Sequence, residues 1–244
     1  MALLAATAVI SSVTSTAQHT ADSAAPGSGD PIPSIRLDSV ANRLDQLRDW
    51  AAPRARAHQI PARALIAYGY ATVVMSKAQP RCHLGWTTVA GIARVESDHA
   101  RFGGALIAAD GTVTPPIRGV ALDGTGGNAV IIDAVATART GRSVHARAMG
   151  PFQFIPDTWK RWGAHADADY ESLAPALESA TPLAATRSGN PDNIDDAALA
   201  AARYLCASGG DLATSSGWRR AILAYNHSDA YVTQVRTAAL GYDR

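Results

Sequence analysis

Several chemically informative residue types are scarce in this chain of 244 residues. It contains two cysteines, three phenylalanines and, among 21 acidic residues, three glutamates, at Glu96, Glu171 and Glu178. Two cysteines without a pair of partner histidines do not suit a structural zinc site. Because glutamates are so few, each of them is a candidate for a specific role.

The chain also lacks blocks of like charge, and its formal net charge is only +1. Proteins that grip nucleic acid along its phosphates usually carry a basic stripe or patch. We therefore predict no nucleic-acid partner.

Long apolar runs are missing too, because the run at residues 1–10 (MALLAATAVI) is shorter than the about 20 residues that a spanning helix needs. We predict no stable membrane span after processing.

Three regions follow from the composition along the chain. Residues 1–17 are typical of a signal-like export segment, since an apolar run precedes small residues that suit a signal peptidase. Residues 18–34 are rich in turn formers and predict a disordered linker. Residues 35–244 have enough apolar residues for one catalytic domain. The predicted location is secreted or in the cell envelope, where Cys82 and Cys206 could form a disulfide; the alternative is two unrelated buried thiols.

Apolar periodicity predicts a mainly α domain. The predicted helices cover residues 38–51 with Pro53 as a stop, then 61–78, 86–98, 156–162, 195–207, 218–225 and 228–240. Residues 102–149 hold many Gly, Thr and Pro residues and short β-branched runs. They predict a long, irregular insertion with short strands after the third helix, and a loop of that length is usually functional.

Glu96 has an unusual position on the third predicted helix. Trp86, Val89, Ala93 and Glu96 recur at spacings of three and four, so they share one face of the helix. A carboxyl group on an apolar face loses solvent, which raises its pKa and allows it to act as a general acid near neutral pH. The alternative is a glutamate that ends the stripe and reaches water or a neighbouring arginine.

Four segments in order carry a family resemblance: residues 91–97 (GIARVES), 148–156 (AMGPFQFIP), 190–198 (NPDNIDDAA) and 224–231 (AYNHSDAY). Together they resemble the lytic murein transglycosylase B type, over roughly residues 60 to 242. The resemblance implies a lysozyme-like helical fold and a non-hydrolytic cut between N-acetylmuramic acid and N-acetylglucosamine. The product would carry a 1,6-anhydro ring.

The resemblance also implies roles for individual residues. Glu96 corresponds to the single catalytic acid/base, and Gln153 and Asn226 to amides of the cleft. We predict further substrate contacts at Ser97, Met149, Gly150, Phe154 and Tyr225. Other interpretations stay open: Ser97 could bond its own backbone near the helix end, Gly150 could form a tight turn, and Asn226 could supply a left-handed helix cap.

No cofactor and no metal are predicted. Acidic residues at 167, 169, 171 and 178 match the offsets of an EF-hand loop, but Ser172 replaces the required glycine and Pro175 stands at position nine. Residues 167–189 are better interpreted as a solvated acidic insert.

Peptidoglycan glycan strands are the predicted partner, and cell-wall synthesis proteins are a second candidate class. Two alternative functions remain. One is a hydrolytic muramidase with Asp98, Asp110 or Asp123 as a second carboxylate, and the other is a catalytically silent wall-binding protein.

Overall fold

The computed structural model describes residues 24–38, 43–127 and 129–243, and it confirms a mainly α fold for them. The predicted export segment at residues 1–17 lies outside the described residues. Within the described residues there are nine α-helices and one two-stranded sheet. The helices are α1 (Arg43–His58), α2 (Ala62–Ala78), α3 (Trp86–Ser97), α4 (Ala134–Thr140), α5 (Pro156–Trp162), α6 (Tyr170–Ser179), α7 (Ile194–Gly209), α8 (Ser215–Tyr225) and α9 (Asp229–Tyr242). None of these helices is both long and apolar enough to cross a membrane.

Helix α2 lies at the centre of the core. Its sequence is apolar on nearly all sides, so it is buried on nearly all sides, and it packs against α1, α3 and α7. The alanine-rich helix α7 is its main neighbour. The predicted disulfide is confirmed: Cys82, just after α2, is bonded to Cys206 in α7, with 5.3 Å between the two Cα atoms.

Helix α3 packs most extensively against α9. The two backbones approach closely at Gly91, where a Cβ atom would lie 2.9 Å from the carbonyl oxygen of Val235. Glycine at this position therefore allows α9 to lie directly along the helix that carries Glu96. This approach brings the first turn of α9 to the C-terminal end of α3.

The insertion after α3 is mostly irregular, as predicted. It contains β1 (Leu106–Ile107) and β2 (Val113–Thr114), which pair antiparallel with Leu106 opposite Thr114. It also contains the short helix α4, which the sequence analysis did not predict. Asp133 caps this helix by accepting a hydrogen bond from the backbone N–H of Ala136.

Two predictions about helices are wrong. Pro53 does not stop the first helix, which continues to His58. Its side chain is exposed, so water can reach the carbonyl group that has lost its backbone partner. The acidic insert is also not simply solvated, because Tyr170–Ser179 forms α6 with Asp169 as its N-cap and buries Leu173 and Leu177.

Residues 24–34, the part of the predicted linker that the structure describes, have no regular secondary structure and contact the domain. The backbone N–H groups of Gly27 and Gly29 donate to the carboxylate of Asp243 at 3.1 and 2.9 Å. Trp86 donates its indole N–H to the carbonyl oxygen of Asp30, and Asp30 forms an ion pair with Arg54. Polar contacts to the domain thus hold a segment that has few apolar groups to bury.

Candidate active site around Glu96

Glu96 lies in the last turn of α3 and is only partly exposed to solvent. Burial raises the pKa of its carboxyl group from 4.5 to about 7. A hydrogen bond from the Tyr231 hydroxyl to Glu96 Oε1, 2.5 Å long, opposes that rise because it favours the ionised form. At neutral pH this carboxyl group can therefore both give and take a proton.

Tyr231 was not among the predicted site residues, although it lies in the fourth segment of the resemblance. It occupies the first turn of α9, which begins after the N-cap Ser228, and it is 7% exposed. Its place in that segment was the signal in the sequence that could have identified it. A buried tyrosine hydroxyl usually needs a hydrogen-bond partner. Burial and the nearby Glu96 together raise the pKa of Tyr231, so its hydroxyl stays protonated and acts as a donor.

Ser97 is buried and links α3 to the segment at 149–154. Its hydroxyl donates to the carbonyl oxygen of Pro151 at 2.6 Å and accepts from the backbone N–H of Ala100 at 2.9 Å. Both of these hydrogen bonds are to the protein's own backbone. The alternative that Ser97 bonds the backbone near its helix end therefore accounts for the bond to Ala100 but not for the bond to Pro151. Ser97 positions the turn next to Glu96.

Residues 149–154 form a tight turn that is closed by a backbone pair. The N–H of Met149 donates to the carbonyl oxygen of Phe154, and the N–H of Phe154 donates back to Met149. Gly150 at the start of the turn has φ +70°, and a Cβ atom there would lie 1.8 Å from the carbonyl oxygen of Pro191. Only glycine fits such a position without displacing backbone.

Gln153 is partly buried at the tip of this turn, with φ +49°. Its side-chain amide donates to the carbonyl oxygen of Gly150 at 2.7 Å, which holds the side chain back over the turn. The side-chain oxygen lies beside Gly119, where a Cβ atom would be 3.1 Å away. The turn therefore also contacts the insertion after α3, at Gly119.

Three aromatic residues tie the turn to Glu96. Tyr225, at the end of α8, donates its hydroxyl to the carbonyl oxygen of Phe152 at 2.7 Å. Its ring stacks parallel to that of Tyr231, with 6.5 Å between ring centroids. The buried Phe154 ring packs edge-on against Tyr225. Glu96 and Ser97, the turn, Tyr225 and Tyr231 thus meet at one junction of α3, α8 and α9.

Asn226 directly follows Tyr225 and is exposed. Its backbone is extended, with φ −147°, so the alternative of a left-handed helix cap is wrong. The residue ends α8 by donating its own N–H to the carbonyl oxygen of Ile222. An exposed side-chain amide beside the Glu96 junction can donate to and accept from a polar ligand.

A second polar cluster lies behind the end of α3. His99 is buried between two tyrosine hydroxyls, with Nδ1 3.2 Å from Tyr68 and Nε2 3.0 Å from Tyr242. Burial lowers the pKa of His99 to about 3, so the imidazole is neutral. The Tyr68 ring packs edge-on against Phe152 in the turn. This cluster supports the turn from the side of α2.

The three aspartates that were candidates for a second catalytic carboxylate form contacts with other residues. Asp98 pairs with Arg94 and Arg101, Asp110 accepts from the backbone N–H of Thr112, and Asp123 accepts from Thr125. Of the four acidic residues of the EF-hand-like pattern, two precede α6 and two lie within it, so the segment is a helix and not a loop. Among the described residues, no group of three or more His, Cys, Asp or Glu side chains is arranged to hold a metal ion.

No family model, curated protein or solved structure matches this chain significantly.

Proposed function

We propose that this protein is a peptidoglycan lytic transglycosylase with Glu96 as its single acid/base. The observation that carries the proposal is the half-buried carboxyl group of Glu96, whose pKa is raised to about 7 and which accepts a hydrogen bond from Tyr231. The ordered resemblance of four segments to the lytic murein transglycosylase B type supports it as well. The mainly α fold is compatible with the lysozyme-like architecture of that family.

In the first step, protonated Glu96 gives its proton to the glycosidic oxygen as the bond to C1 of N-acetylmuramic acid breaks. The N-acetylglucosamine part leaves with a free 4-hydroxyl group, and the acetamido oxygen of the muramic residue stabilises the positive charge at C1. Glu96 is now a carboxylate, which the Tyr231 hydroxyl stabilises through a charge-assisted hydrogen bond.

In the second step, the C6 hydroxyl of the muramic residue attacks C1 and closes the anhydro ring. The Glu96 carboxylate takes the proton from that hydroxyl and returns to its starting state. One group serves both steps best when its pKa lies close to the working pH, because it must be a competent acid and then a competent base. A pKa of about 7 meets that condition.

The use of a single carboxyl group favours this reaction over hydrolysis. Ordinary glycosidases position two carboxyl groups across the bond that they cut. Asp98, Asp110 and Asp123, the candidates for a second group, are engaged in the contacts described above. We propose that the amides of Gln153 and Asn226 contact the acetamido and hydroxyl groups of the glycan.

We further propose that the protein acts outside the cytosol on peptidoglycan strands. The Cys82–Cys206 disulfide supports this location, since disulfides persist in oxidising compartments. Cell-wall synthesis proteins remain a proposed second class of partner.

Two measurements test the proposal. In a peptidoglycan zymogram, wild-type protein should clear the gel and Glu96→Gln should not, while both bind the glycan equally. Glu178→Gln, an exposed glutamate substitution, is the matched control and should clear normally. Binding without clearing by the wild type would indicate a silent wall-binding protein. Mass spectrometry of the released muropeptides should show products one water lighter than hydrolytic products; products of hydrolytic mass would indicate a muramidase.

A further inference from the structure

The insertion after α3 extends an arm, defined here as residues 119–127 and 129–148, from the turn that carries Gln153. Both ends of the arm meet at that turn. Gly119 donates its N–H to the carbonyl oxygen of Ala148 and lies against the Gln153 side chain. Just before the arm, the carbonyl oxygen of Ile117 accepts from Gly150. The arm therefore starts at the edge of the Glu96 site.

The arm exposes apolar side chains to an unusual degree. In the described part of the chain, six large apolar side chains are exposed, and all six lie within residues 102–135 of the insertion. Four of them belong to the arm: Val120 (65% exposed), Val130 (66%), Ile132 (40%) and Val135 (72%). A concentration of exposed apolar surface on one segment is a feature of surfaces that contact a ligand or partner.

The arm also carries exposed cations. Arg139 and Arg142 are exposed, and in the described residues no carboxylate lies within ion-pair distance of either. The two aspartates of the arm have local partners, because Asp123 accepts from Thr125 and Asp133 caps α4. The arm thus offers apolar surface together with two guanidinium groups that pair with no carboxylate of the described residues.

These features suit the peptide stems of the proposed substrate better than its sugars. Protein surfaces that hold sugars rely on aromatic rings and amides, and the arm sequence has no Phe, Tyr or Trp. The peptide stems of peptidoglycan instead combine alanine methyl groups with free carboxylates. Guanidinium groups bind carboxylates strongly. The stems are also attached to the N-acetylmuramic residues, so a glycan at Glu96 carries them past the edge of the site.

We propose that the arm binds the peptide stems of the strand whose glycan lies at Glu96. The protein would then cut stem-bearing glycan in preference to glycan from which an amidase has removed the stems. This inference rests on the proposed function. An anionic membrane surface is the main rival occupant, because it too combines apolar groups with negative charge.

The test compares wild type, Arg139→Gln/Arg142→Gln and Val130→Ser/Val135→Ser on two substrates, intact and amidase-treated peptidoglycan. Each arm variant should lower kcat/KM on intact peptidoglycan about tenfold and leave the value on stem-free glycan unchanged. Arg81→Gln, an exposed arginine outside the arm, is the control and should match wild type on both. Thermal melts check that every variant is folded.

A second measurement does not depend on turnover. In the Glu96→Gln background, soluble stem-bearing fragments should bind about tenfold more weakly once the arm substitutions are added, whereas stem-free fragments should not change. Equal losses on both substrates, no loss on either, or loss only of binding to anionic lipid vesicles would each overturn the proposal. If wild type releases no products from either substrate, the proposed function itself is refuted. If wild type is active and the arm variants behave like wild type, only the proposed binding of peptide stems by the arm is refuted.

Discussion

The hydroxyl of Tyr231 donates a 2.5 Å hydrogen bond to Glu96 Oε1, across 135 positions of sequence. This contact joins the first turn of α9 to the last turn of α3. It counteracts burial, which raises the pKa of the Glu96 carboxyl group, and so it helps to set that pKa at about 7. The pH dependence of the proposed reaction should therefore depend on a residue outside the helix that carries Glu96.

Tyr231→Phe should move the basic limb of the kcat/KM profile to higher pH. The bond to Tyr231 favours the ionised carboxylate, so its loss raises the pKa of Glu96 further. Because the proposed first step needs protonated Glu96, activity should then persist to higher pH. The maximal rate should fall about tenfold, since the carboxylate intermediate loses a charge-assisted hydrogen bond. Tyr204→Phe, whose hydroxyl donates to the carbonyl oxygen of Ala224, is the control. An unchanged profile in Tyr231→Phe would contradict the assigned role.

Glu96→Gln should be more stable than wild type at pH 8 but not at pH 4. The folded-state pKa of about 7 lies above the ordinary value of 4.5, so the native state holds this proton more tightly than the unfolded state. That stabilisation is complete below pH 4.5 and is lost as the pH rises through 7. At about 1.36 kcal/mol per pKa unit, the loss is on the order of 3 kcal/mol. Urea unfolding of both proteins at the two pH values measures it. Glu178→Gln, which replaces an exposed glutamate, should show no such pH-dependent gain.

Gly150→Ala should destabilise the protein far more than Gly126→Ala. Both glycines have positive φ, +70° and +62°, so both substitutions strain the backbone by about 1 kcal/mol. At Gly126 nothing lies within 4 Å of the added Cβ, whereas at Gly150 it would lie 1.8 Å from the carbonyl oxygen of Pro191. We expect an additional loss of at least about 3 kcal/mol in Gly150→Ala, measured by thermal or urea unfolding. Similar losses in the two variants would show that the turn at 149–154 is not held against residue 191.

Loss of the disulfide should lower the stability of the whole domain. The bond joins Cys82 and Cys206 across 124 positions of sequence, linking the segment after α2 to α7 in the core. Cys82→Ser/Cys206→Ser should reduce the free energy of unfolding by about 2 to 4 kcal/mol. Wild type in reductant should behave in the same way. Identical unfolding midpoints with and without reductant would mean that the bond does not constrain the unfolded chain.

Local patterns predicted much of the fold. Six helices were predicted with boundaries that differ from the observed ones by at most three residues: α2, α3, α5, α7, α8 and α9. These helices face the core and have strong apolar periodicity or clear caps. Helix α6 was missed because its acidic residues and internal Pro175 hide the spacing of Leu173 and Leu177. The contacts of residues 24–34 were not predicted because their partners, such as Asp243, lie more than 200 positions away.

The sequence by itself determined that Glu96 stands on the apolar face of a helix, because a helix places residues three and four positions apart on the same side. It also predicted the mainly α class, whereas it left a disulfide between Cys82 and Cys206 and two separate thiols as alternatives, and the structure shows the disulfide. Only the tertiary structure decided which group Glu96 meets, that Ser97 bonds the turn at Pro151, and that the arm begins beside Gln153. Those contacts depend on how α3, α8 and α9 pack together, and packing between distant segments leaves no periodic trace in the sequence.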